Sequence, residues 1–433
     1  MIFYTTKNGI KVYIEKMPAA ESIALDLYVN AGSRDETPDN NGIAHLLEHM
    51  HFRRLDNLDQ KEIYYLTESM GATLEASASV EMLRFYIKFR PNHLSKILDL
   101  FIKIVEMDKW TETDLEQERA VVINEIIEND SYYNIDRYVK WDLWKNHPLS
   151  LPVLGTEESV SGITLNEIVE HKKNAFRKDN MFFIISGRLT KKDTELINNK
   201  ISGIHLAEGG ELQPRTAPSH GNKPIVSFVK TNNDFLDVVI SFKKDYGLVE
   251  KETLLLLSSI IGGGYGAILQ TLVREELGLV YNIYSEVNSY EDTTTFQIKC
   301  GVHKKYFMKV LNVVFSAIND TKANIDTNDM MSNIPFYTEN TWFLKEDPTV
   351  FNENIGWEIF IRSVDNDPIK QMIDKYMSIT KENVMDVAKA LFTAENTNVV
   401  VMGATGRYTK KEVRENIHIL DKKAFSHRTE TQP

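Results

Sequence analysis

The chain has little sulfur chemistry to offer: Cys300 is its single cysteine among 433 residues. No intrachain disulfide can form, which excludes a small scaffold stapled for an oxidising environment and fits a reducing one. There is no uninterrupted run of roughly 18 apolar residues, so no membrane span is expected. The opening Met1-Ile2-Phe3-Tyr4-Thr5-Thr6-Lys7 lacks the apolar stretch of a signal peptide. These absences together predict a cytoplasmic location. An excess of positive charge is also missing: 50 Lys and Arg stand against 62 Asp and Glu, a net −12. A nucleic-acid partner, which needs a basic stripe to neutralise phosphates, is therefore not expected.

What is present is a large, folded composition. Hydrophobic residues make up 42% and charged residues 26%, the balance of a globular protein. At roughly 100–200 residues per domain the length predicts two or three domains. An internal echo favours two. Ser186-Gly187-Arg188-Leu189-Thr190-Lys191-Lys192 is matched 219 positions later by Thr405-Gly406-Arg407-Tyr408-Thr409-Lys410-Lys411. Each copy follows a short apolar run that reads as a buried strand, Met181 to Ile185 and Val399 to Met402. Upstream stand Thr164 and Thr380, each opening a helical pattern, then Asn180 and Asn396, both pairs 216 apart. The Gly- and Pro-containing stretch 211–223 reads as a linker between domains 1–210 and 224–433.

Within the first half, strands are predicted at 10–16, 22–30, 73–79, 82–90 and 181–187. Helices are predicted at 41–53, 59–70, 93–107, 112–130 and 164–176. The hairpin around Glu81 argues for antiparallel pairing, so the expected fold is α+β. Each of two similar domains would carry a mixed, mostly antiparallel sheet covered by helices.

The helix at 41–53 carries the chemistry. Asp39, Asn40 and Asn41 suit its N-cap. Ile43, Leu46, Leu47 and Met50 form a buried stripe. At about 100° per residue, His49 falls about 40° from His45 around the axis and Glu48 about 60° to the other side. Two imidazoles one turn apart can hold one zinc ion, and the carboxylate between them can act as general base toward an attacking water. His51, about 200° from His49, is expected at the periphery. The alternative is a polar helix face that happens to carry two His and a Glu. The buried stripe beside it weakens that reading, and His-x-x-Glu-His is the signature of inverted zincins. A second helix, opened by a capping box Thr113-x-x-Glu116, places Glu118 and Glu125 seven residues apart on one face. Spacing alone does not distinguish them from the solvated Glu112, Glu116 and Glu128.

The run His45-Leu46-Leu47-Glu48-His49, with Glu118-Arg119-x-Val121-Val122-x-x-Glu125 ending 76 positions beyond His49, resembles the pitrilysin-type zinc metallopeptidases. Further landmarks extend the resemblance over the whole chain. They are Ser33-Arg34-x-Glu36, His147-Pro148, Gly155-Thr156-Glu157-Glu158-Ser159 and Asp179-Asn180. In the second half Gly262-Gly263-Gly264-Tyr265-Gly266 is followed by Arg274 and, seven residues on, Tyr281. The glycines lack the Gly-Lys-Ser/Thr ending of a phosphate loop.

The resemblance implies that His45, His49 and Glu125 bind one Zn2+ per chain, that Glu48 is the general base and that Glu118 supports the ligands. Arg274 and Tyr281, from the second domain, would hold the reacting carbonyl. It further implies half of a clamshell, two such chains enclosing a chamber, and an endopeptidase of short or unfolded peptides. The pairing would be with an identical or a related chain. Leader-peptide removal, as in bacteriocin maturation, falls within that class. A non-catalytic or half-site subunit of a heterodimer that binds peptides is the alternative within the same family. The peptide would add to the sheet edge near 73–79, at Glu75 and Ala76. Here the chain departs from the family: Glu75 stands where an Asn is usual, so an altered subsite that favours a basic side chain is expected. The Lys-Gly-Thr usual after the second His is also replaced, by Met50-His51-Phe52-Arg53-Arg54.

Overall fold

The computed structural model describes residues 1–422 except 132–133, 207–208, 220, 222, 245–250, 265 and 363–366. Tyr265 and linker positions 220 and 222 thus lie outside the described residues. The chain forms two compact units.

The first unit is built on a six-stranded sheet. Its order is Ile2–Thr5, Lys11–Lys16, Met181–Gly187, Ile23–Val29, Leu83–Phe89, Leu74–Ala78. Only Lys11–Lys16 and Met181–Gly187 run parallel; every other neighbouring pair is antiparallel. The five strands expected from the sequence lie within a residue of their predicted ends. The short edge strand Ile2–Thr5 was not foreseen, because four residues give too little alternation to read.

Alternation decides what each face meets. Leu25, Leu27, Phe85, Ile87, Phe183 and Ile185 face a core shared with Ile43, Leu46, Leu47 and Met50 of the helix Ile43–Arg53 and with the helix Leu94–Glu106. The intervening residues face the other way, and they too are covered. The strand Ile23–Val29 is therefore buried throughout, as expected of a strand packed on both faces.

The cover comes from far along the chain. The units are not the contiguous halves expected from the linker: segment 342–369 belongs to the first and segment 134–145 to the second. The helix Pro348–Ile361 lies on the first sheet. Tyr28 Oη donates to the Asn352 carbonyl at 3.0 Å, and Asn352 Nδ2 donates to the buried Asp26 carboxylate at 2.7 Å. The same carboxylate accepts from Arg84 Nε at 2.7 Å. Burial dominates the Asp26 carboxyl and raises it to about 6, despite the Arg84 charge and both bonds.

Gly356 allows this approach. A Cβ there would lie 2.3 Å from Tyr28 Cζ, and the Tyr28 ring is itself stacked on Phe182 at 4.9 Å. Alanine is the better helix former by about 1 kcal/mol, yet Gly356→Ala is expected to destabilise the protein by about 1–3 kcal/mol through overpacking. Urea denaturation of both proteins measures it.

The second unit repeats the plan. Its sheet runs Val280–Ser289, Thr294–His303, Phe235–Lys244, Thr397–Gly403, Ile225–Lys230, with only the last pair parallel. Its covering helix is Ile135–Trp144, drawn from the first half of the sequence. Lys299 pairs with Asp136 at 2.8 Å, and Lys243 donates to the Leu143 carbonyl at 2.8 Å.

The sequence echo has a structural cause. Thr164 and Thr380 cap equivalent helices. Asn180 and Asn396 each donate back to the end of that helix, Asn180 to the Ala175 carbonyl and also to the Asn30 carbonyl, Asn396 to the Ala390 and Leu391 carbonyls. Gly187 and Gly403 end the strands at φ +125 and +142, where a side chain is strained. The strand-ending glycine of the second half is thus Gly403, at offset 216. Three extra residues then precede Thr409, which caps its helix as Thr190 does at offset 219.

Lys172 of the helix Leu165–Ala175 is 3% exposed; among the described residues its ammonium donates to the Val105 carbonyl at 2.5 Å and lies over the Phe176 ring. Burial lowers its ammonium to about 7. Between that value and the ordinary one near 10.5, the unfolded chain binds the extra proton, so stability rises with pH across this window. Lys172→Met is expected to raise stability at pH 7 and flatten the rise, read from denaturation midpoints between pH 7 and 10.

Candidate metal centre

The site lies in the first unit, where two helices meet. The first, Ile43–Arg53, is held at both ends. Gly42, at φ +95, is its N-cap, and neither Asp39, Asn40 nor Asn41 caps it by a side chain. Glu36 replaces them: its carboxylate accepts from Gly42 N at 2.7 Å, Ala44 N at 2.9 Å and Asn41 Nδ2 at 2.7 Å. A carboxylate there also matches the positive end of the helix. Gly155 fits against this start, since a Cβ on it would lie 2.5 Å from the Asn41 carbonyl, and Ser159 Oγ donates to that carbonyl at 2.7 Å. At the other end Trp110 Nε1 donates to the Met50 carbonyl at 2.8 Å.

The second helix is Glu112–Ser131. Its start is closed by Thr111 and Asp114, with Thr111 N donating to Asp114 Oδ2 at 2.9 Å and Asp114 N to Thr111 Oγ1 at 3.2 Å. The expected box at Thr113 and Glu116 is two residues out of register. Arg119 Nη2 anchors this helix to the Ile163 carbonyl at 2.8 Å.

Between the helices, His45 Nε2 lies 3.7 Å and His49 Nε2 3.6 Å from Glu125 Oε2. Among the described residues, this trio is the one group of His, Cys, Asp or Glu whose ligand atoms all fall within 4.8 Å of one another. Tetrahedral bonds of about 2.0–2.1 Å set donor atoms about 3.3 Å apart, so the trio fits a zinc ion with little movement. Glu118 Oε2 lies 3.3 Å from His49 Nδ1, which would leave Nε2 free for a metal ion. His45 Nδ1 is buried and has no hydrogen-bond partner among the described residues.

Electrostatics treat the two imidazoles differently. Burial, with the charge of His49, pushes the His45 imidazole down to about 3, so it stays neutral. Burial would also lower His49, but the Glu118 hydrogen bond and the charges of Glu48, Glu118 and Glu125 outweigh it and raise the ring. Burial raises the Glu48 carboxyl, against the pull of His49 and a hydrogen bond from the Ala78 backbone. Glu48 is therefore tied to the edge strand Leu74–Ala78 and held apart from the ligand trio.

His51 is not peripheral. It is 1% exposed, with Nδ1 2.8 Å from the Leu47 carbonyl and Nε2 3.2 Å from the Ile104 carbonyl. Phe85, Trp110 and Phe176 surround its ring. The helix is packed on more than one side, so an angular position away from His49 still points into the core.

Glu48, His49 and Glu118 open onto a cavity of about 630 Å³, which Glu75, Ala76 and Tyr86 of the sheet edge also line. Arg274 and Tyr281 belong to the second unit. Arg274 lies in the π-helical segment Gln270–Glu276. Tyr281 falls at a register shift in the strand Val280–Ser289 and is 89% exposed. A tyrosine so placed is not part of a core.

The comparisons with known proteins agree with this geometry. The Insulinase (Peptidase family M16) profile matches residues 11–157, and the Peptidase M16 inactive domain profile matches residues 162–331. The chain belongs to peptidase family M16. This M16 chain is 25% identical over 401 residues to the uncharacterized zinc protease YmxG of Bacillus subtilis (strain 168), covering 90% of itself and 96% of the relative. Its fold is similar to that of a protease from Helicobacter pylori, with a TM-score of 0.83 at 18% identity over 93% and 99% of the two chains. It is also similar to a chain of complex III2 from Candida albicans, with a TM-score of 0.78 at 16% identity over 96% and 99%. No helix among the described residues of the M16 chain is long and apolar enough to cross a membrane.

Proposed function

We propose that the chain is a zinc-dependent endopeptidase of short or unfolded peptides, with His45, His49 and Glu125 as the metal ligands. The observation that carries this reading is the convergence of those three donors beside Glu48, with Glu118 on the outer nitrogen of His49. Bound zinc would supply Lewis acidity to the reacting carbonyl and to water. Glu48, held between His49 and the edge strand, takes the proton of the attacking water and passes it to the leaving amine. Glu118 fixes the ring orientation of His49. Arg274 and Tyr281, whose side chains make no hydrogen bond or ion pair among the described residues, are assigned to the developing oxyanion. The free edge of Leu74–Ala78 offers backbone groups to an extended peptide.

Removal of leader peptides, such as those of bacteriocins, is the use we favour, because an added strand requires an unfolded substrate. Pairing with an identical or related chain and a cytoplasmic location complete the proposal; the latter rests on the lone, buried Cys300. The second reading, a peptide-binding subunit without catalysis, draws on the likeness to a complex III2 chain. The presence of His45, Glu48, His49 and Glu125 together argues for the first.

Digestion of a mixed peptide library, with and without a zinc chelator, tests the proposal. Cleavage that stops on chelation and returns with zinc supports it. Cleavage indifferent to the chelator, or none by the zinc-loaded chain, refutes it.

A further inference from the structure

The cavity beside the metal centre contains a carboxylate with no task in the chemistry. Glu75 lines it, and among the described residues no cation is paired with it. Arg53, which lines the same cavity, is engaged elsewhere: it lies 3.3 Å from Gln60 Oε1, 3.9 Å from Asp114 and 4.0 Å from Glu118.

Glu75 is nonetheless held in place. It sits directly across the ladder from Tyr86, whose hydroxyl donates to it. Burial first, then this bond, raises the Tyr86 phenol to about 12, so it remains a donor at any ordinary pH. One face of the Tyr86 ring lies against Arg84, 4.2 Å from the guanidinium. Arg84 in turn is fixed by the buried Asp26. Tyr64 and Phe52 complete an apolar wall of the same cavity. A carboxylate of fixed orientation, with no paired cation among the described residues and flanked by aromatic side chains, suits a long cationic side chain. Its stem packs on the rings while its head reaches the charge.

We infer that Glu75 and Tyr86, with Tyr64 and Phe52, form a subsite for a Lys or Arg of the peptide. This rests on the peptidase reading and adds a position to it. Glu48 accepts from the backbone of Ala78, three residues beyond Glu75. Along an extended strand that is about 10 Å, so the basic residue falls about three residues from the scissile bond of a peptide lying beside the edge strand.

Binding separates this inference from catalysis. Short alanine-rich fluorescent peptides carrying one Lys, one Glu or neither are titrated into the zinc-loaded Glu48→Gln protein, and Kd is read from anisotropy. The Lys peptide is expected to bind about tenfold more tightly than the neutral one, the size of a charge-assisted hydrogen bond, with the difference shrinking as salt is added. Glu75→Gln in that background should abolish the preference and Glu75→Lys should reverse it toward the Glu peptide. Tyr86→Phe should weaken it without reversing it.

A Lys preference that persists in both Glu75 variants, or its absence from the parent, overturns the inference. The wild-type chain supplies the other arm. Cleavage about three residues from Lys supports both readings, whereas cleavage at positions indifferent to Lys sinks the subsite alone. Selective binding without any cleavage by the zinc-loaded wild type sinks the peptidase reading alone.

Discussion

Glu48→Gln is expected to lower kcat by about 10²–10⁴-fold, the usual contribution of a positioned general base, while zinc content stays at one per chain. Gln keeps the shape of Glu and still accepts a hydrogen bond from the Ala78 backbone, but it cannot take a proton. Glu48 is not one of the three close-set donors, so its neutralisation leaves them in place. Steady-state kinetics on one cleaved peptide, with zinc measured by atomic absorption in the same preparation, separates the two effects. Loss of zinc along with activity would reassign Glu48 as a ligand. Activity within a few fold of wild type would remove it from the mechanism.

The complementary change acts on the metal and spares the base. Glu118→Gln is expected to weaken zinc binding by about 10–100-fold, the range for a group that orients a ligand from outside. Glu125→Ala is expected to lose more, because one of three protein donors disappears. The distances set this order. Glu125 faces both imidazole Nε2 atoms at 3.6 and 3.7 Å, while Glu118 meets only the far nitrogen of His49. Competition against a chromophoric chelator gives the affinities. The stabilisation by saturating zinc should fall in the same order, since a ligand that binds only the folded state stabilises it by an amount that grows with the logarithm of its affinity. If Glu118→Gln bound zinc as tightly as wild type, the orienting role would fail.

The sequence made the centre of this site legible because its signals are local. One helix fixes the angles among His45, Glu48 and His49, and a stripe of Ile43, Leu46, Leu47 and Met50 fixes which side is buried. Glu118 and Glu125 differ in kind. Periodicity put them on one face of an acidic helix, and only the family resemblance distinguished them from Glu112, Glu116 and Glu128. The structure now distinguishes them physically: Glu118 is buried against His49, whereas Glu112, Glu116 and Glu128 are exposed.

Long-range partners were not legible. Nothing near residue 26 announces that Asp26 will meet Asn352, more than three hundred positions away. The reciprocal placement of the helices Ile135–Trp144 and Pro348–Ile361 is likewise a tertiary choice. Glu36 was noted as part of a motif, but its capping of the metal helix depends on a turn that propensity does not encode. The burial of His51 shows the same limit, because an angular offset says where a side chain points and not what waits there.

The measurement that bears most directly on the account is a crystal of the zinc-loaded protein, with diffraction collected at the zinc absorption edge. One strong anomalous peak per chain is expected, about 2.0–2.2 Å from His45 Nε2, His49 Nε2 and a Glu125 oxygen, with Glu118 still on His49 Nδ1. A zinc peak bound elsewhere, or no peak at this trio in protein shown to contain zinc, would contradict it.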